Sequence, residues 1–292
     1  MCLDKHLHFR CIFPYNRINN NHDLEMLAVL IDIHTHMFPD KLAPKALSSL
    51  SKTCNSPYYT DGTVKGTMSS LTEWGVTAAV VMNIATKPSQ QTTVNNWAAS
   101  VQDKNLFCFG SVHPDAPDAI EELQRIKELG LYGIKMHPDY QGFFIDEERM
   151  FPIYDAISSL KLPVLFHAGI DPLSPTLTHA LPKAIAKVAE MFPKMKMIAA
   201  HMGGMARYDE VEEYLVGKNV YIDTSMSSRI CAPEQFARII NKHGADHVLF
   251  GSDCPWSRSI DELNFLQAVK MNEDDREKIC YRNTMHLLNI KL

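Results

Sequence analysis

Eight short apolar runs alternate with longer helical patterns along the chain, and this alternation constrains the fold more than any other feature. The runs are 26–36 (MLAVLIDIHTH), 77–85, 106–114, 132–138, 162–169, 195–204, 220–226 and 247–256 (HVLFGSDCPW), each bounded by Gly, Pro, Asn or Asp. Short apolar runs of this kind read as strands covered on both faces, as a parallel sheet requires. Helical periodicity fills the gaps most clearly at 116–130, 181–193, 232–244 and 259–271, and again in the tail from 273. In the first of these, Asp115 or Asp118 can cap the start and Gly130 can end it. Eight strands alternating with helices predict an α/β fold, the (β/α)8 TIM barrel. A doubly wound open sheet is the alternative. It usually has fewer strands and a Gly-rich phosphate loop after the first, whereas His34-Thr35-His36 stands in that place and no G-x-G-x-x-G occurs.

A chain of 292 residues accommodates such a barrel as one domain, expected over 26–292. Residues 1–25 mix Asn, His and aromatics without periodicity and lack the features of a signal peptide. They read as an N-terminal extension, disordered or not native, with Met26 as a plausible start; an intact mass from the native source that includes residue 1 contradicts the second option. The stretch 37–70 reads as irregular and is expected to lie over the barrel mouth. A net charge of −5 argues against a nucleic-acid partner. No apolar run approaches the ~18 residues of a membrane span. The seven cysteines are odd in number and form no C-x-x-C pair, so they read as reduced thiols of a cytoplasmic protein.

In a barrel of this type the reacting groups sit at the C-terminal ends of the strands. Strand one ends in His34 and His36, strand four in Lys135 and His137, strand five in His167, strand six in His201 and strand eight in Asp253. Metal-binding side chains thus recur at the same point of separate strands. Alternation along a strand places Asp32, His34 and His36 on one face, expected to be the inner one with Asp32 orienting an imidazole, and Ile31 and Ile33 on the face toward the helices. A divalent metal takes neutral imidazoles and a carboxylate, and a catalytic site keeps a position open for water. Water bound there can fall to a pKa of about 7, and Asp253 can both ligate the ion and accept the water's proton.

H-x-H on the first strand, histidines on the fifth and sixth, and "GSDCPW" on the eighth resemble the amidohydrolase superfamily, in particular its amidohydrolase-related branch of aminocarboxymuconate-semialdehyde decarboxylase-like proteins. The resemblance covers 29–290 at the level of motif order. It implies a metal-dependent barrel of the hydrolase type, with His34, His36, His167 and Asp253 as metal ligands. It makes His201 either a second-metal ligand or a catalytic acid/base. Lys135 corresponds to a lysine that some superfamily hydrolases carbamylate to bridge two metals.

The leading expectation is a metal-dependent hydrolase, an enzyme in which activated water attacks a carbonyl-type centre of a small molecule. Asp253 and His201 are its catalytic residues, and Zn2+ is the ion, with Mn2+ or another divalent as the alternative. A carboxy-lyase (decarboxylase) of an aromatic or unsaturated carboxylate is the second reading. A barrel that binds metal without catalysis is the third. Lys135, His137, Arg229 and Trp256 are the candidate substrate-binding residues, with Arg229 suited to an anion. His113 ends strand three and has the weakest claim. The expected partner is a small-molecule substrate, with no nucleic acid and no membrane, and the chain is expected to pair as a homodimer as barrels of this branch often do.

Overall fold

The computed structural model describes residues 29–292, so the expectations for residues 1–25 and for the start at Met26 lie outside it. In chain order it contains β1 (Ile31–Thr35), α1 (Ala43–Cys54), α2 (Val64–Glu73), β2 (Ala78–Met82), α3 (Gln91–Val101), β3 (Leu106–Gly110), α4 (Ala119–Glu128) and β4 (Gly133–Met136). The single turn α5 (Pro138–Gln141) follows, then α6 (Phe151–Leu160), β5 (Val164–Phe166), α7 (Pro182–Met191), β6 (Met197–Ala199), α8 (Tyr208–Tyr214), β7 (Tyr221–Asp223) and α9 (Ser227–Ile230). The chain ends with α10 (Pro233–His243), β8 (Val248–Leu249), α11 (Ser259–Gln267), α12 (Glu273–Glu277) and α13 (Asn283–Leu288). The eight strands form one parallel sheet in the order β1 to β8. Beyond the ladders, Ile33 N donates to Phe250 O at 2.9 Å and Asp253 N to His34 O at 2.7 Å, which joins β1 to the segment after β8. The sheet is therefore a nearly closed barrel, and the open-sheet alternative is excluded.

Two apolar layers follow from strand alternation. The outer one packs Val81, Ile134, Phe166, Ile222 and their like against helix residues such as Leu123, Ile153 and Ile239. The inner one gathers Ile31, Ile33, Val80, Phe109, Leu165, Ile198 and Leu249 from the strands, with Leu287 and Leu288 of α13 as the plug at the base.

This arrangement corrects the expected facing of β1. Ile31 and Ile33 belong to the inner layer, and Asp32, aligned with the outward Ala79, bonds Ser252 and Ser259 on the other side. The register slips between Asp32 and Thr35, so three steps on β1 match two on β2. The extra residue is a β-bulge, which breaks strict alternation and re-aims the side chains beyond it. His34 turns into the barrel by this bulge.

The stretch 37–70 is also more regular than expected, since α1 and the start of α2 occupy it. Only Ala43 and Leu47 of α1 are buried, so the helix shows little apolar stripe to read. Its position agrees with the expectation: Tyr59 N bonds Pro255 O at 2.9 Å and Arg229 Nη1 bonds Ser56 Oγ at 3.3 Å, tying it to the loops after β8 and β7. Asp118 stands at the cap of α4 but gives its carboxylate to Gln91 Nε2 at 2.8 Å, and Asp115 pairs with Arg149. The tail is one unbroken helical run from Glu273 to Leu288, as expected, with a π turn at Lys278–Arg282 inside it.

Gly169, just after β5, locks the loops that carry the site. Its N–H bonds Ala180 O at 2.9 Å, while Met205 N bonds Ala168 O at 2.8 Å. Its φ is +86°, and an added Cβ would lie 2.1 Å from Met205 N, a backbone atom that cannot step aside. Gly169→Ala is expected to destabilise the fold by more than about 3 kcal/mol, measured by urea unfolding.

Candidate metal centre at the barrel mouth

The bulge in β1 and the ends of β4, β5, β6 and β8 bring His34, His36, Lys135, His137, His167, His201 and Asp253 into one buried cluster. His34 and His201 are 1% exposed, and Asp253 8%. His201 and Asp253 hold φ values of +57° and +68°. Such left-handed conformations cost about 1–3 kcal/mol at a non-glycine residue and persist where surrounding bonds enforce them. Here Asp253 N bonds His34 O, and His201 N bonds Asp223 Oδ1 at 3.0 Å.

His34, His36 and Asp253 form one triplet of convergent ligand atoms. His34 Nδ1 lies 2.9 Å from Asp223 Oδ2, and His36 Nδ1 3.0 Å from Met82 O. Both partners only accept, which puts the ring protons on Nδ1 and leaves the Nε2 lone pairs as acceptors, that of His34 within 3.3 Å of Lys135 Nζ. These face Asp253 Oδ1 at 3.5 Å from His34 and 3.0 Å from His36. Lys135 supplies one positive charge at this cluster, and two imidazoles with one carboxylate converging beside it are a donor set that suits a divalent ion. Burial and then Lys135 hold His34 well below the usual histidine pKa, so it is a neutral donor.

A hydrogen-bonded chain runs on from His34. Asp223 Oδ1 accepts from the Ser225 hydroxyl and, at 3.1 Å, from Ser225 N. Ser225 Oγ lies 2.8 Å from His201 Nδ1, and His201 Nε2 lies 3.1 Å from His167 Nδ1. Because Asp223 donates nothing, the proton order is fixed along the chain: His201 donates from Nδ1, His167 donates from Nδ1, and His167 Nε2 is bare. That nitrogen is buried and has no hydrogen-bond partner. It falls in a second triplet with His137 and Asp171, not in the one formed by His34, His36 and Asp253. Burial and then His201 pull His167 down to about 3. Burial, Asp139 and Asp253 push Asp171 up to about 7.

Lys135 Nζ lies 3.3 Å from His34 Nε2, and burial pulls its ammonium down to about 8 against Asp253, Asp223 and Asp171. Arg229 stands at the rim, bonding Trp256 O at 2.6 Å, and Trp256 N bonds Asp253 O at 2.8 Å. His113 is held apart, its Nδ1 accepting from Asp115 N at 3.2 Å.

Asp171, Asp223 and Ser225 escaped the sequence reading, and so did Asp32's true role. Its Oδ1 accepts the His34 N–H at 3.1 Å and its Oδ2 the Ser252 and Ser259 hydroxyls, so it shapes the backbone and Asp223 orients the ring. Glu262 was also passed over. It accepts from Ser228 N at 2.8 Å, Ser228 Oγ at 2.7 Å and Ser257 Oγ at 2.7 Å, clamping α9 to the loop after β8. Burial pushes it from 4.5 up to about 8 against those donors. The unfolded chain therefore releases this proton first, and its contribution is complete below about 4.5 and lost as pH rises through about 8. Thermal midpoints of wild type and Glu262→Gln from pH 5 to 9 are expected to converge or cross in favour of the variant as pH rises, and parallel curves contradict this.

A family model described as amidohydrolase matches residues 31–290. The chain belongs to the amidohydrolase family. Within the family it is similar to the γ-resorcylate decarboxylase of Polaromonas sp. strain JS666, at 23% identity over 220 residues, 59% of this chain. That alignment spans 66% of the relative, just under two thirds of its length. The 5-carboxyvanillate decarboxylase of Sphingomonas paucimobilis superposes with a TM-score of 0.68 at 15% identity, covering 91% of this chain and 100% of that one. The 5-carboxyvanillate decarboxylase of Novosphingobium aromaticivorans, complexed with manganese and 4-hydroxy-3-methoxy-5-nitrobenzoic acid, gives 0.70 at 18% identity over 91% of this chain and 97% of that one. At such identities the likeness shows the shared barrel. No helix among the described residues is long and apolar enough to cross a membrane.

Proposed function

We propose that this amidohydrolase-family chain is a metal-dependent, non-oxidative decarboxylase of a small aromatic or unsaturated carboxylate. The observation that carries the metal part is the convergence of the His34 and His36 Nε2 atoms on Asp253 Oδ1. These three residues hold the ion. His167, the fourth ligand expected from the sequence, keeps a buried Nε2 without a hydrogen-bond partner beside this triplet. Zinc or manganese fits such a donor set, and the manganese in the Novosphingobium relative supports testing both. Decarboxylation is preferred over the hydrolysis favoured from the sequence because the matched relatives are decarboxylases. Binding without turnover is disfavoured because both acid/base candidates, Asp253 and His201, stand in the pocket.

When bound, the ion supplies a Lewis acid for a substrate oxygen. Lys135, its Nζ 3.3 Å from His34 Nε2, would offer its N–H groups to a substrate oxygen beside that site, and Arg229 would receive the anion at the rim. The bond from the ring carbon to the carboxylate breaks, and its electron pair stays on that carbon. The proton that replaces carbon dioxide on that carbon passes through His201 Nε2, which takes it from the Nδ1–H of His167 and hands it on, while His167 is reprotonated from solvent at the mouth. The His137 edge and Trp256 wall the pocket. The free Cys54, Cys108, Cys231, Cys254 and Cys280 support a reducing, cytoplasmic setting.

The test is carbon dioxide release from 2,6-dihydroxybenzoate, 5-carboxyvanillate and a panel of unsaturated carboxylates by protein loaded with Zn2+ or Mn2+. Release that disappears on chelation is expected. Hydrolysis of amides, esters or lactones with no carbon dioxide from any carboxylate contradicts the proposal.

A further inference from the structure

We propose that Glu262 is a positioning residue for anion recognition: through Ser228 and Ser257 it sets the Arg229 guanidinium at the barrel mouth to receive a carboxylate. This rests on the reading of Arg229 as the anion receiver. Glu262 lies on α11 and is 1% exposed. It holds two serines from different loops. Its Oε2 accepts from Ser228 N at 2.8 Å, and its Oε1 accepts from Ser228 Oγ and Ser257 Oγ, both at 2.7 Å. Each serine is the chain neighbour of a residue at the rim: Ser228 precedes Arg229, and Ser257 follows Trp256. Those rim residues are themselves joined, Arg229 Nη1 donating to Trp256 O at 2.6 Å. One carboxyl group therefore grips both sides of the Arg229–Trp256 bond and fixes the spacing across it.

The local structure needs such an anchor. Helix α9 is a single turn, entered through Met226 at φ +61° with no side-chain cap from that residue. A turn this short has too few internal bonds to hold itself. Ser228 N is one of the N–H groups at its start that the turn cannot satisfy, and Glu262 satisfies it. The other loop is tied to the site, since Trp256 N bonds Asp253 O at 2.8 Å. Arg229 itself is half-buried. Its hydrogen bonds to the described residues both come from Nη1 and both end on neutral oxygens, Trp256 O and, at 3.3 Å, Ser56 Oγ. That leaves the Nε and Nη2 edge of the fork, which matches a carboxylate with two parallel N–H bonds. Such a bidentate pair is sensitive to angle. A tilt of α9 therefore weakens the grip on a carboxylate and leaves the fit of an uncharged ring of the same shape.

The test compares the binding of benzoate and benzamide, matched in shape and differing in charge, to Mn2+-loaded protein by titration calorimetry. Without a ring hydroxyl to supply electrons, benzoate binds without losing carbon dioxide. Wild type is expected to prefer benzoate, and Arg229→Ala to lose about tenfold of that preference. Glu262→Ala is expected to lose a similar factor. Glu262→Gln is expected to restore it, because the amide keeps an acceptor for Ser228 N while the serine hydroxyls turn to accept from its NH2. The Arg229→Ala/Glu262→Ala double variant is expected to lose no more than Arg229→Ala alone. Ser257→Ala, which cuts the link between the loops and leaves Glu262 on Ser228, serves if Glu262→Ala does not fold, with the same loss expected. Additive losses in the double variant overturn this proposal and leave the proposed function standing. So does a Glu262→Ala or Ser257→Ala protein that keeps the wild-type preference while Arg229→Ala loses it. A wild type with no preference for benzoate, or an Arg229→Ala protein that keeps it, defeats the role of Arg229 and this proposal with it.

Discussion

Replacing Asp253 by Asn is expected to lower turnover by on the order of 10³ and to release the ion held with His34 and His36. A metal's stabilisation of developing charge amounts to several kcal/mol, and each ~1.4 kcal/mol is a decade in rate. The amide keeps the shape of the carboxylate and tolerates the left-handed φ of +68° as readily as Asp does. It also removes a conflict in the metal-free protein. Asn Nδ2 can donate to the bare His36 Nε2, where the carboxylate oxygen now sits at 3.0 Å. The chelator-treated variant is therefore expected to melt no lower than chelator-treated wild type. A variant that loses both activity and metal-free stability points to a structural role instead.

Asp223→Asn is the second large effect, and it acts through another residue. Asp223 accepts from His34 Nδ1, His201 N, Ser225 N and Ser225 Oγ and donates to nothing. An amide must turn an NH2 toward one of these donors. Turned toward His34, it reverses the tautomer and puts a proton on Nε2, which then cannot ligate. Loss of such an orienting partner typically costs ~10–100-fold in metal affinity. The readout is the metal dissociation constant by competition with a chelator, together with kcat at saturating metal. A lower melting temperature with unchanged metal affinity contradicts a positioning role.

The barrel was legible because each strand is buried on both faces and so reads as an unbroken apolar run. The pocket was legible because imidazoles at the ends of four such runs, with a carboxylate at the end of a fifth, are conspicuous among aliphatics. The facing of β1 was not, because a bulge leaves no mark in a pattern that assumes strict alternation: Ile31 and Ile33 look equally at home in either layer. Asp223 and Ser225 sit two apart at the end of the seventh run, a spacing that could have flagged them, but they bind no substrate-like group themselves and act only through His34 and His201. Asp171 lies in a loop, four residues past His167, where no periodicity places a side chain. Helix α1 was hidden for a related reason, since a lid over the mouth buries too little apolar surface to show a stripe.

The choice of chemistry was the part least fixed by residue type. A His/His/Asp triplet serves water activation and decarboxylation alike, and specificity rests on loops such as α1 and the rim around Arg229. There the comparison with decarboxylases moved the reading from hydrolysis to carbon dioxide release.

The proposed site encloses a divalent ion between the Nε2 atoms of His34 and His36 and the carboxylate of Asp253. Anomalous scattering from crystals grown with Mn2+ tests it most directly. An anomalous peak is expected at about 2.0–2.3 Å from His34 Nε2, His36 Nε2 and an Asp253 oxygen together. A Mn2+-loaded crystal with no anomalous density among these three atoms contradicts it.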